Sequence, residues 1–209
     1  MKIAIFGGTG RTGLHVIEQA LEEGHQVVTL ARTPTKLTFK QDSLKVVQGD
    51  VKDPASVASV VKGVDAVISV LGPTSNAASF EVSSGMENIL KAMNQYDVKR
   101  IILSAGAGVG DPQDKPGFVN KLINALLKMV AKNVYEDMLK AVAIVRSSDR
   151  DWTVVRVPML TDGPKTGNIK VGMVGKGMGS RISRADMATY MLNQIHNTDQ
   201  VRKAPVISN

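Results

Sequence analysis

The feature that most constrains the fold lies at the start of the chain, where an apolar run leads directly into clustered glycines. Residues 2–6 read KIAIF, and residues 7–13 read GGTGRTG. A buried strand, a glycine-rich turn and an opening helix in immediate succession form the first part of a βαβ unit, whose helix N-terminus can receive a phosphate. This arrangement predicts an α/β protein that binds a dinucleotide.

The glycines satisfy two spacing patterns at once. Gly8, Gly10 and Gly13 fit G-x-G-x-x-G, whereas Gly7, Gly10 and Gly13 fit G-x-x-G-x-x-G. In both patterns glycine permits a tight turn, close approach of the backbone to a pyrophosphate, and close packing of the helix on the sheet. The spacing alone does not choose between the two patterns. A Rossmann-type scaffold whose nucleotide site has decayed is the alternative interpretation.

The rest of the chain repeats the alternation of strand and helix. Near-continuous apolar runs such as AVISVL and RIILS are typical of strands buried on both faces of a parallel sheet. Strands are predicted at 2–6, 26–31, 44–47, 66–71, 100–103, 152–157 and 205–208. Helices are predicted at 12–22, 54–62, 79–95, 117–146 and 184–195. We therefore expect one doubly wound α/β domain with a parallel sheet, a Rossmann fold over residues 1–209, whose glycine-rich C-terminal third forms a small cap over the strand ends.

Composition narrows the possible partners. The chain has no cysteine, which excludes disulfides, thiolate metal sites and cysteine nucleophiles, and its histidines show no metal-ligand spacing. A net charge of +7 with only 4% aromatic residues favours small anions over nucleic acid. No apolar run reaches the length of a membrane span, and no secretory signal is recognisable. We expect a cytoplasmic monomer or small homo-oligomer that binds small molecules and neither nucleic acid, membrane nor metal.

The end of the second predicted strand bears on the choice of cofactor. An acidic residue usually stands there to bind the ribose hydroxyls of NAD, but this chain reads ARTPTK, with Arg32 about 20 residues beyond the glycines. Arg32 can pair with a 2′-phosphate, and Arg11 adds a second cation inside the glycine loop. An exposed charge at a strand end is the alternative role for Arg32. The pattern favours NADP(H) over NAD(H).

Several segments together resemble a known family. KIAIFGGTGRTG, LAR, VVQGDV, SVLG, DWTVVRVP and GSRISRADMA occur in the order found in the atypical short-chain dehydrogenases. Over about residues 2–192 the chain is most similar to the NAD(P)H-binding group that contains biliverdin IXβ reductase, also called flavin reductase. Sensors resembling the nitrogen-metabolism repressor are more distant relatives. The resemblance implies that Gly7, Gly10 and Gly13 are the functional glycines and that Gly8 is incidental.

The same resemblance implies a path for the cofactor along the carboxyl ends of the strands. The residues implied for the phosphates are Gly7, Thr9, Gly10, Arg11, Thr12 and Gly13, with Arg32 on the 2′-phosphate. Those implied beyond them are Asp50 and Val51 at the adenine, Leu71, Gly72, Ser104 and Ala105 along the path, and Pro158, Met159 and Leu160 beside the nicotinamide. A turn carboxylate is the alternative for Asp50, and a backbone-bonded strand-end hydroxyl is the alternative for Ser104.

Catalytic residues are harder to find. The Tyr-x-x-x-Lys pair of the classical short-chain dehydrogenases is absent, because Tyr135 is followed by Leu139 at that spacing and Lys140 comes one place late. Members of the biliverdin IXβ reductase group carry a His after tandem prolines, whereas Met159 follows a single Pro158 here. Ser104 is then the best available polar group near a reacting ring. Alcohol–ketone chemistry is disfavoured, but flavin-like, quinone-like or tetrapyrrole acceptors need little acid catalysis.

The sequence thus predicts an NADPH-dependent oxidoreductase that transfers hydride to one of these small-molecule acceptors. One alternative is a redox sensor that binds NADP(H) without turnover. Another is a sugar-nucleotide epimerase or dehydratase, against which the missing Tyr-x-x-x-Lys and the short C-terminal region argue. The glycine- and proline-rich segment 106–120 is predicted to be a mobile lid over the acceptor, with an ordinary surface loop as the alternative.

Overall fold

The computed structural model describes residues 1–38, 41–73, 76, 78, 80–175 and 177–209. Within them, eight strands form one sheet in the order β3-β2-β1-β4-β5-β6-β10-β8, and β7 and β9 form a separate two-stranded sheet. The strands are β1 Lys2–Phe6, β2 Gln26–Ala31, β3 Leu44–Gln48, β4 Ala66–Ser69, β5 Arg100–Gly106, β6 Asp151–Val157, β7 Met159–Thr161, β8 Lys170–Gly172, β9 Arg181–Ser183 and β10 Val206–Ser208. The helices are α1 Arg11–Glu22, α2 Pro54–Val61, α3 Glu81–Gln95, α4 Phe118–Val130, α5 Lys132–Arg146 and α6 Arg184–Asn193.

The sheet confirms the predicted fold class. Strands β1 to β6 pair in parallel, with β1 between β2 and β4. The carboxyl ends of these six strands therefore lie on the same side of the sheet. The strand order reverses between β1 and β4, and ligands of open α/β sheets bind in the crevice at such a switch point. This topology positions the candidate site.

Helices cover both faces of the sheet, as in other doubly wound folds. On one face α2, α3 and α5 contribute fully or nearly fully buried side chains such as Val60, Ile89 and Val145. On the other face α1 and α6 contribute side chains such as Ile17 and Met191. The two apolar layers bury β1, β4 and β5 from both sides, which explains why those strands read as continuous apolar runs.

Two helix starts follow the capping rules that the sequence indicated. The Asp53 carboxylate accepts hydrogen bonds from the backbone N–H groups of Ala55 and Ser56, and Pro54 occupies the first turn of α2. The Ser183 hydroxyl accepts a bond from the N–H of Asp186 and so begins α6. Both helices thereby start at the sheet edge that carries the strand ends.

Some predicted boundaries were wrong. The helix predicted at 117–146 is two helices, because the backbone leaves helical geometry at Ala131, with φ −126° and ψ 45°. The strand predicted at 66–71 ends at Ser69, since residues 70 and 71 turn away to form a wall of the cleft described below. Helix α3 begins at Glu81, preceded by Phe80 with φ 45°. Residue Ser79, predicted as the start of that helix, lies outside the described residues.

The C-terminal third is only partly the predicted cap. Strand β10 pairs in parallel with β6, and β8 pairs antiparallel with β10, so both extend the main sheet. Only β7 and β9 form a separate small sheet beside the strand ends. The strand predicted at 205–208 is β10, whereas β7, β8 and β9 were missed, because each of them has only three residues, too few to show a period.

A buried ion pair holds part of the segment predicted as a mobile lid. The guanidinium of Arg156 in β6 is fully buried and donates to Asp114 at 2.5 and 2.9 Å. Asp114 also accepts a bond from the N–H of Val174 at 3.0 Å, and Asp111 accepts one from Arg146 at 2.8 Å. These bonds fasten residues 111–115 to the body of the protein. That part of the loop is an anchored surface loop, and the lid prediction is wrong for it.

Candidate functional site

The glycine loop between β1 and α1 forms the centre of the cleft. Gly7 has φ +85°, and a Cβ at this position would lie 2.7 Å from the carbonyl oxygen of Val70. A Cβ on Gly13 would overlap the carbonyl oxygen of Gly7 and lie 2.7 Å from the Cα of Gly8. Only glycine therefore permits both the turn and the close approach of α1 to it. Gly7 and Gly13 are structurally required, in keeping with the second spacing pattern.

Gly8 is needed for packing in this chain. A Cβ here would overlap Thr29 Oγ1 and lie 2.7 Å from Ile17 Cδ1. Thr29 cannot simply turn away, because it is fully buried and its hydroxyl donates to the carbonyl oxygen of Ile5 at 2.7 Å. Gly8 lines neither half of the cleft described below, so its expected lack of a role in cofactor binding stays a prediction, and its packing against Thr29 of β2 is a structural requirement.

The N-terminus of α1 faces this cleft. Gly10 is the N-cap without a side-chain bond, and its carbonyl oxygen accepts the first helical bond from Leu14 at 2.9 Å. The first N–H groups of a helix have no partner within the helix, and the helix dipole adds partial positive charge there. Arg11 and Thr12, which line the cleft, occupy this first turn. The arrangement suits the pyrophosphate of a dinucleotide.

One half of the cleft lies over β1, β2 and β3. This adenosine half has a volume of about 160 Å³. Among the predicted residues, those that line it are Gly7, Thr9, Gly10, Arg32, Asp50, Val51, Leu71 and Gly72. Asp50 serves the turn as well as the cleft, because its Oδ1 accepts a bond from the N–H of Lys52 at 2.9 Å. A role of Asp50 as a turn carboxylate is thus compatible with its predicted role at the adenine.

Arg32 lies at the mouth of the adenosine half, directly after β2, with 59% of its side chain exposed. Its Nη1 is 4.0 Å from Glu81 Oε2, and Lys52 Nζ is 3.6 Å from Glu81 Oε1. Two cations therefore meet one carboxylate at the mouth of the adenosine half, where the sequence predicts the 2′-phosphate of NADP(H). Sequence reasoning missed Lys52 and Glu81, because Glu81 comes from α3 and is brought here only by the fold.

The other half of the cleft lies over β4, β5 and β6. This nicotinamide half has a volume of about 560 Å³, within the usual range for ligand sites. Among the predicted residues, those that line it are Gly10, Arg11, Thr12, Gly13, Leu71, Gly72, Ser104, Ala105, Pro158 and Leu160. Ser104 is half-buried here, and none of the residues that the structure describes bonds to its hydroxyl. That hydroxyl is available to a ligand.

Met159 lies next to the nicotinamide half and not in it. Its side chain is 58% exposed and lines a neighbouring pocket of about 550 Å³, which shares Gly106, Val157 and Pro158 with the nicotinamide half. Met159 is therefore not among the residues that line the nicotinamide half, and its predicted contact with the cofactor stays a prediction. The direction of a side chain at a strand end could not be read from the sequence.

Arg184 was missed by the sequence analysis. This residue at the start of α6 is buried, lines the nicotinamide half, and donates to Asp162 at 2.6 Å. Arg11 donates to the same carboxylate at 3.2 Å. Asp162 thus joins the N-termini of α1 and α6 across the cleft. An anion bound at α1 would compete with Asp162 for Arg11, whose side chain is 72% exposed.

Asp186 fixes the segment that carries Asp162. Burial would raise the pKa of Asp186, but hydrogen bonds from Gly167, Thr166, Asn209 and Ser183 outweigh it, and the pKa is lowered. The carboxylate accepts from the N–H groups of Thr166 and Gly167, each at 2.9 Å. A charged Asp186 therefore holds the chain after β7 close to α6.

The residues weighed as a catalytic dyad do not meet. The Tyr135 hydroxyl donates to the carbonyl oxygen of Gly108 at 3.2 Å, whereas Lys140 Nζ is 3.6 Å from Glu87 Oε1 on α3. The described residues also hold no group of three or more His, Asp or Glu side chains able to bind a metal. None of the helices in the described part of the chain is long and apolar enough to cross a membrane.

The whole site fits a dinucleotide better than a mononucleotide. Two halves of one cleft meet at the glycine loop, where Gly10, Leu71 and Gly72 line both. An added Cβ at Gly7 would clash with Val70, and one at Gly13 would clash with Gly7, so the loop at this junction requires both glycines. A helix N-terminus lies at the junction, and cations lie at the far end of the adenosine half. These features define a Rossmann-type dinucleotide site.

Residues 7–198 match the sequence profile of a family described as NAD(P)H-binding. The chain belongs to that family, and its cofactor is NAD(P)H. The predicted resemblance and the predicted class of cofactor are confirmed.

Particular relatives agree with this assignment. Phenylcoumaran benzylic ether reductase PT1 of Pinus taeda is 29% identical over 165 residues, which are 74% of this chain and 47% of that protein. The chain spans less than half the length of such curated relatives. A short-chain dehydrogenase/reductase of Veillonella parvula in complex with NADP has a TM-score of 0.84 at 18% identity, covering 100% of this chain and 94% of that one. ChuY, an anaerobillin reductase of Escherichia coli O157:H7, has a TM-score of 0.78 at 19% identity, covering 100% and 97%. At such identities the structural likeness establishes the fold.

Proposed function

We propose that the protein is an NADPH-dependent oxidoreductase that reduces a flavin-, quinone- or tetrapyrrole-like acceptor. The observation that carries the proposal is the pocket of about 550 Å³ beside the nicotinamide half, in which we place the acceptor and which is called the acceptor pocket below. It shares Val157 and Pro158 with that half and is lined mainly by glycines, valines and methionines. A flat apolar ring can therefore lie next to the cofactor without any further opening.

When bound, NADPH supplies a hydride, so that the acceptor gains two electrons and one hydrogen, takes one proton from water, and NADP⁺ is released. The residues of the chain bind the cofactor and the acceptor and orient one towards the other. In this proposal Arg11 and the N-terminus of α1 hold the pyrophosphate, and Ala105 and Pro158 wall the reacting ring. Ser104 offers a free hydroxyl in the nicotinamide half, beside the reacting ring. The absence of a Tyr–Lys pair at the described site fits acceptors that need no strong acid.

The activities of two similar proteins support a reductase. The pine relative is a benzylic ether reductase, and the Escherichia coli neighbour is an anaerobillin reductase. Neither fixes the acceptor of this protein, because the match covers less than half of the first relative and the second shares only the fold.

The proposal is tested by NADPH oxidation under anaerobic conditions with FMN, a quinone and a biliverdin, each repeated with NADH. We expect turnover of at least one acceptor, faster with NADPH. Binding of NADP⁺ and NADPH with equal affinity, without consumption of any acceptor, would contradict a reductase. That result would favour the sensor that binds cofactor without turnover, and the search would move to protein partners.

Cofactor preference gives a second test. Arg32→Asp places a carboxylate beside Glu81 and removes the cation proposed for the 2′-phosphate. We expect NADP(H) affinity to fall about tenfold or more, since charge-assisted bonds contribute about 1.5–3 kcal/mol, while NAD(H) affinity changes less. Calorimetric titration with both cofactors measures the ratio.

The matched control for Arg32 is Arg202→Asp. Arg202 is exposed. Its backbone N–H donates to the carbonyl oxygen of Trp152 at the amino end of β6, away from the cleft. This variant should keep the wild-type ratio of the two affinities. If Arg32→Asp also keeps it, Arg32 does not contact the cofactor phosphate.

A further inference from the structure

A third pocket adjoins the nicotinamide half on the side of α5. This α5 pocket has a volume of about 260 Å³ and is lined on one side by Ala131, Val134, Tyr135 and Met138. Their spacing of three and four residues places them on one face of the helix. Pro73 and Gly108 from the loops after β4 and β5 form part of the opposite wall.

The α5 pocket is continuous with the candidate cofactor site. Pro73, Gly106 and Met138 line both the α5 pocket and the nicotinamide half. Gly106 lines the acceptor pocket as well. A molecule whose ring lies at Gly106 can therefore extend a substituent along α5 without leaving the cleft.

The lining of the α5 pocket is apolar. Tyr135 is the polar side chain among the described residues that line it, and its hydroxyl is already donated to Gly108 O at 3.2 Å. Lys128 Nζ lies 5.2 Å from the centre of the Tyr135 ring, where it faces the ring and not a carboxylate. None of the described residues that line the pocket is charged, so the burial of a phosphate or propionate among them is costly even with the exposed Lys128 beside Tyr135. An alkyl chain would gain about fourfold in affinity for each fully buried methylene.

An apolar surface continues from the mouth of this pocket. Helix α4 exposes Phe118, Leu122, Leu126, Met129 and Val130, between 54% and 80%. The first four recur at helical spacing on one face, and Val130 directly precedes Ala131 of the pocket wall. Because α4 contacts α5, this apolar face is a candidate contact for a chain longer than the pocket.

We infer that the α5 pocket binds the alkyl or prenyl chain of a quinone, whose ring occupies the cleft at Gly106. This inference rests on the proposed function and narrows its acceptor to a lipophilic quinone. In the reaction the quinone takes two electrons and a hydrogen as hydride from NADPH and one proton from water, which yields hydroquinone and NADP⁺. FMN and biliverdin, with anionic substituents, fit the α5 pocket poorly.

The test compares two quinones with the same ring, ubiquinone-0 without a chain and decylubiquinone with one. Both the KM for NADPH-dependent reduction and the Kd for the protein–NADP⁺ complex are measured, the latter by calorimetry. We expect the decyl chain to lower both constants about tenfold or more. Val134→Trp fills the pocket and should bring the two quinones close to equality. Val171→Trp, an exposed valine in β8, should leave the wild-type ratio unchanged.

Four outcomes decide the inference. Equal constants for both quinones in the wild-type protein overturn it, as does an unchanged ratio in Val134→Trp that keeps the wild-type circular dichroism. If Val134→Trp fails to fold, Ala131→Phe at the same wall replaces it. Faster turnover of FMN or biliverdin than of decylubiquinone overturns the acceptor class while a reductase remains. Chain-dependent Kd values without turnover of any acceptor support the α5 pocket and refute the proposed reaction.

Discussion

Asp114→Ala is expected to lower the free energy of unfolding by about 3–5 kcal/mol, the usual cost of breaking a buried ion pair. Arg156 is fully buried and would keep its charge without the carboxylate that accepts two of its hydrogen bonds. The N–H of Val174 would also lose its acceptor. Urea unfolding followed by circular dichroism measures the loss.

The control is an exposed ion pair of the same kind. Glu136 on α5 lies 3.8 Å from Lys132, one helical turn away, and both side chains are largely exposed. Glu136→Ala should cost only about 0.3–0.5 kcal/mol. If Asp114→Ala costs no more than this control, the buried pair does not stabilise the fold.

The ion pair between Asp114 and Arg156 also makes the free energy of unfolding depend on pH. Burial raises the pKa of Asp114, but the hydrogen bonds and charge of Arg156 and the N–H of Val174 outweigh burial, so the pKa lies below its ordinary value. A carboxyl group with a lowered folded-state pKa stabilises the protein above its unfolded-state pKa of about 3.9. That stabilisation is lost as the pH falls through the folded-state value. Wild type should therefore lose more stability on acidification than Asp114→Ala.

Gly13→Ala is expected to have the largest effect on cofactor binding. The new Cβ would overlap the carbonyl oxygen of Gly7, so α1 or the glycine loop must move. We expect a loss of about 1–3 kcal/mol in stability, as for other overpacked sites. NADP(H) affinity should fall about tenfold or more, because the helix N-terminus shifts from the phosphate position.

Gly117→Ala is the matched control for Gly13→Ala. Nothing lies within 4 Å of a Cβ at Gly117, and this residue has no positive φ. Its stability should change by less than about 1 kcal/mol and its NADP(H) affinity should stay that of the wild type. Calorimetry and thermal unfolding report both quantities. Unaltered binding in Gly13→Ala would mean that the loop tolerates a side chain and that close packing is not what the cofactor requires.

Local sequence patterns were sufficient to predict the central strands of the sheet and the position of the cleft. The alternation of apolar runs and helical segments predicted β1 to β6, and the glycine spacing placed the cleft beside β1. These features succeed because period and turn chemistry are set by neighbouring residues. Parallel strands then bring their carboxyl ends together, which is why residues as distant as Gly7, Arg32 and Ser104 could be assigned to one cleft.

Features that depend on distant contacts could not be predicted. Arg156 and Asp114 are 42 positions apart, and neither residue alone indicates a buried partner. The break at Ala131 involves neither proline nor glycine, so no local signal separates α4 from α5. Gly8 depends on Thr29 of another strand, and Arg184 reaches the cleft only because α6 packs beside α1. In each instance the determining contact is tertiary.

Strand β8 is an edge strand of the main sheet, and its features disfavour the addition of a strand from another chain. A sheet edge presents unpaired backbone groups that invite another chain, and natural proteins protect such edges with short strands and lysines. Strand β8 is a three-residue edge that runs antiparallel to β10, and it carries the exposed Lys170. At the opposite edge, β3 carries the exposed Lys45. Both margins of the sheet are thus poor templates for strand addition, which disfavours edge-to-edge aggregation of this protein.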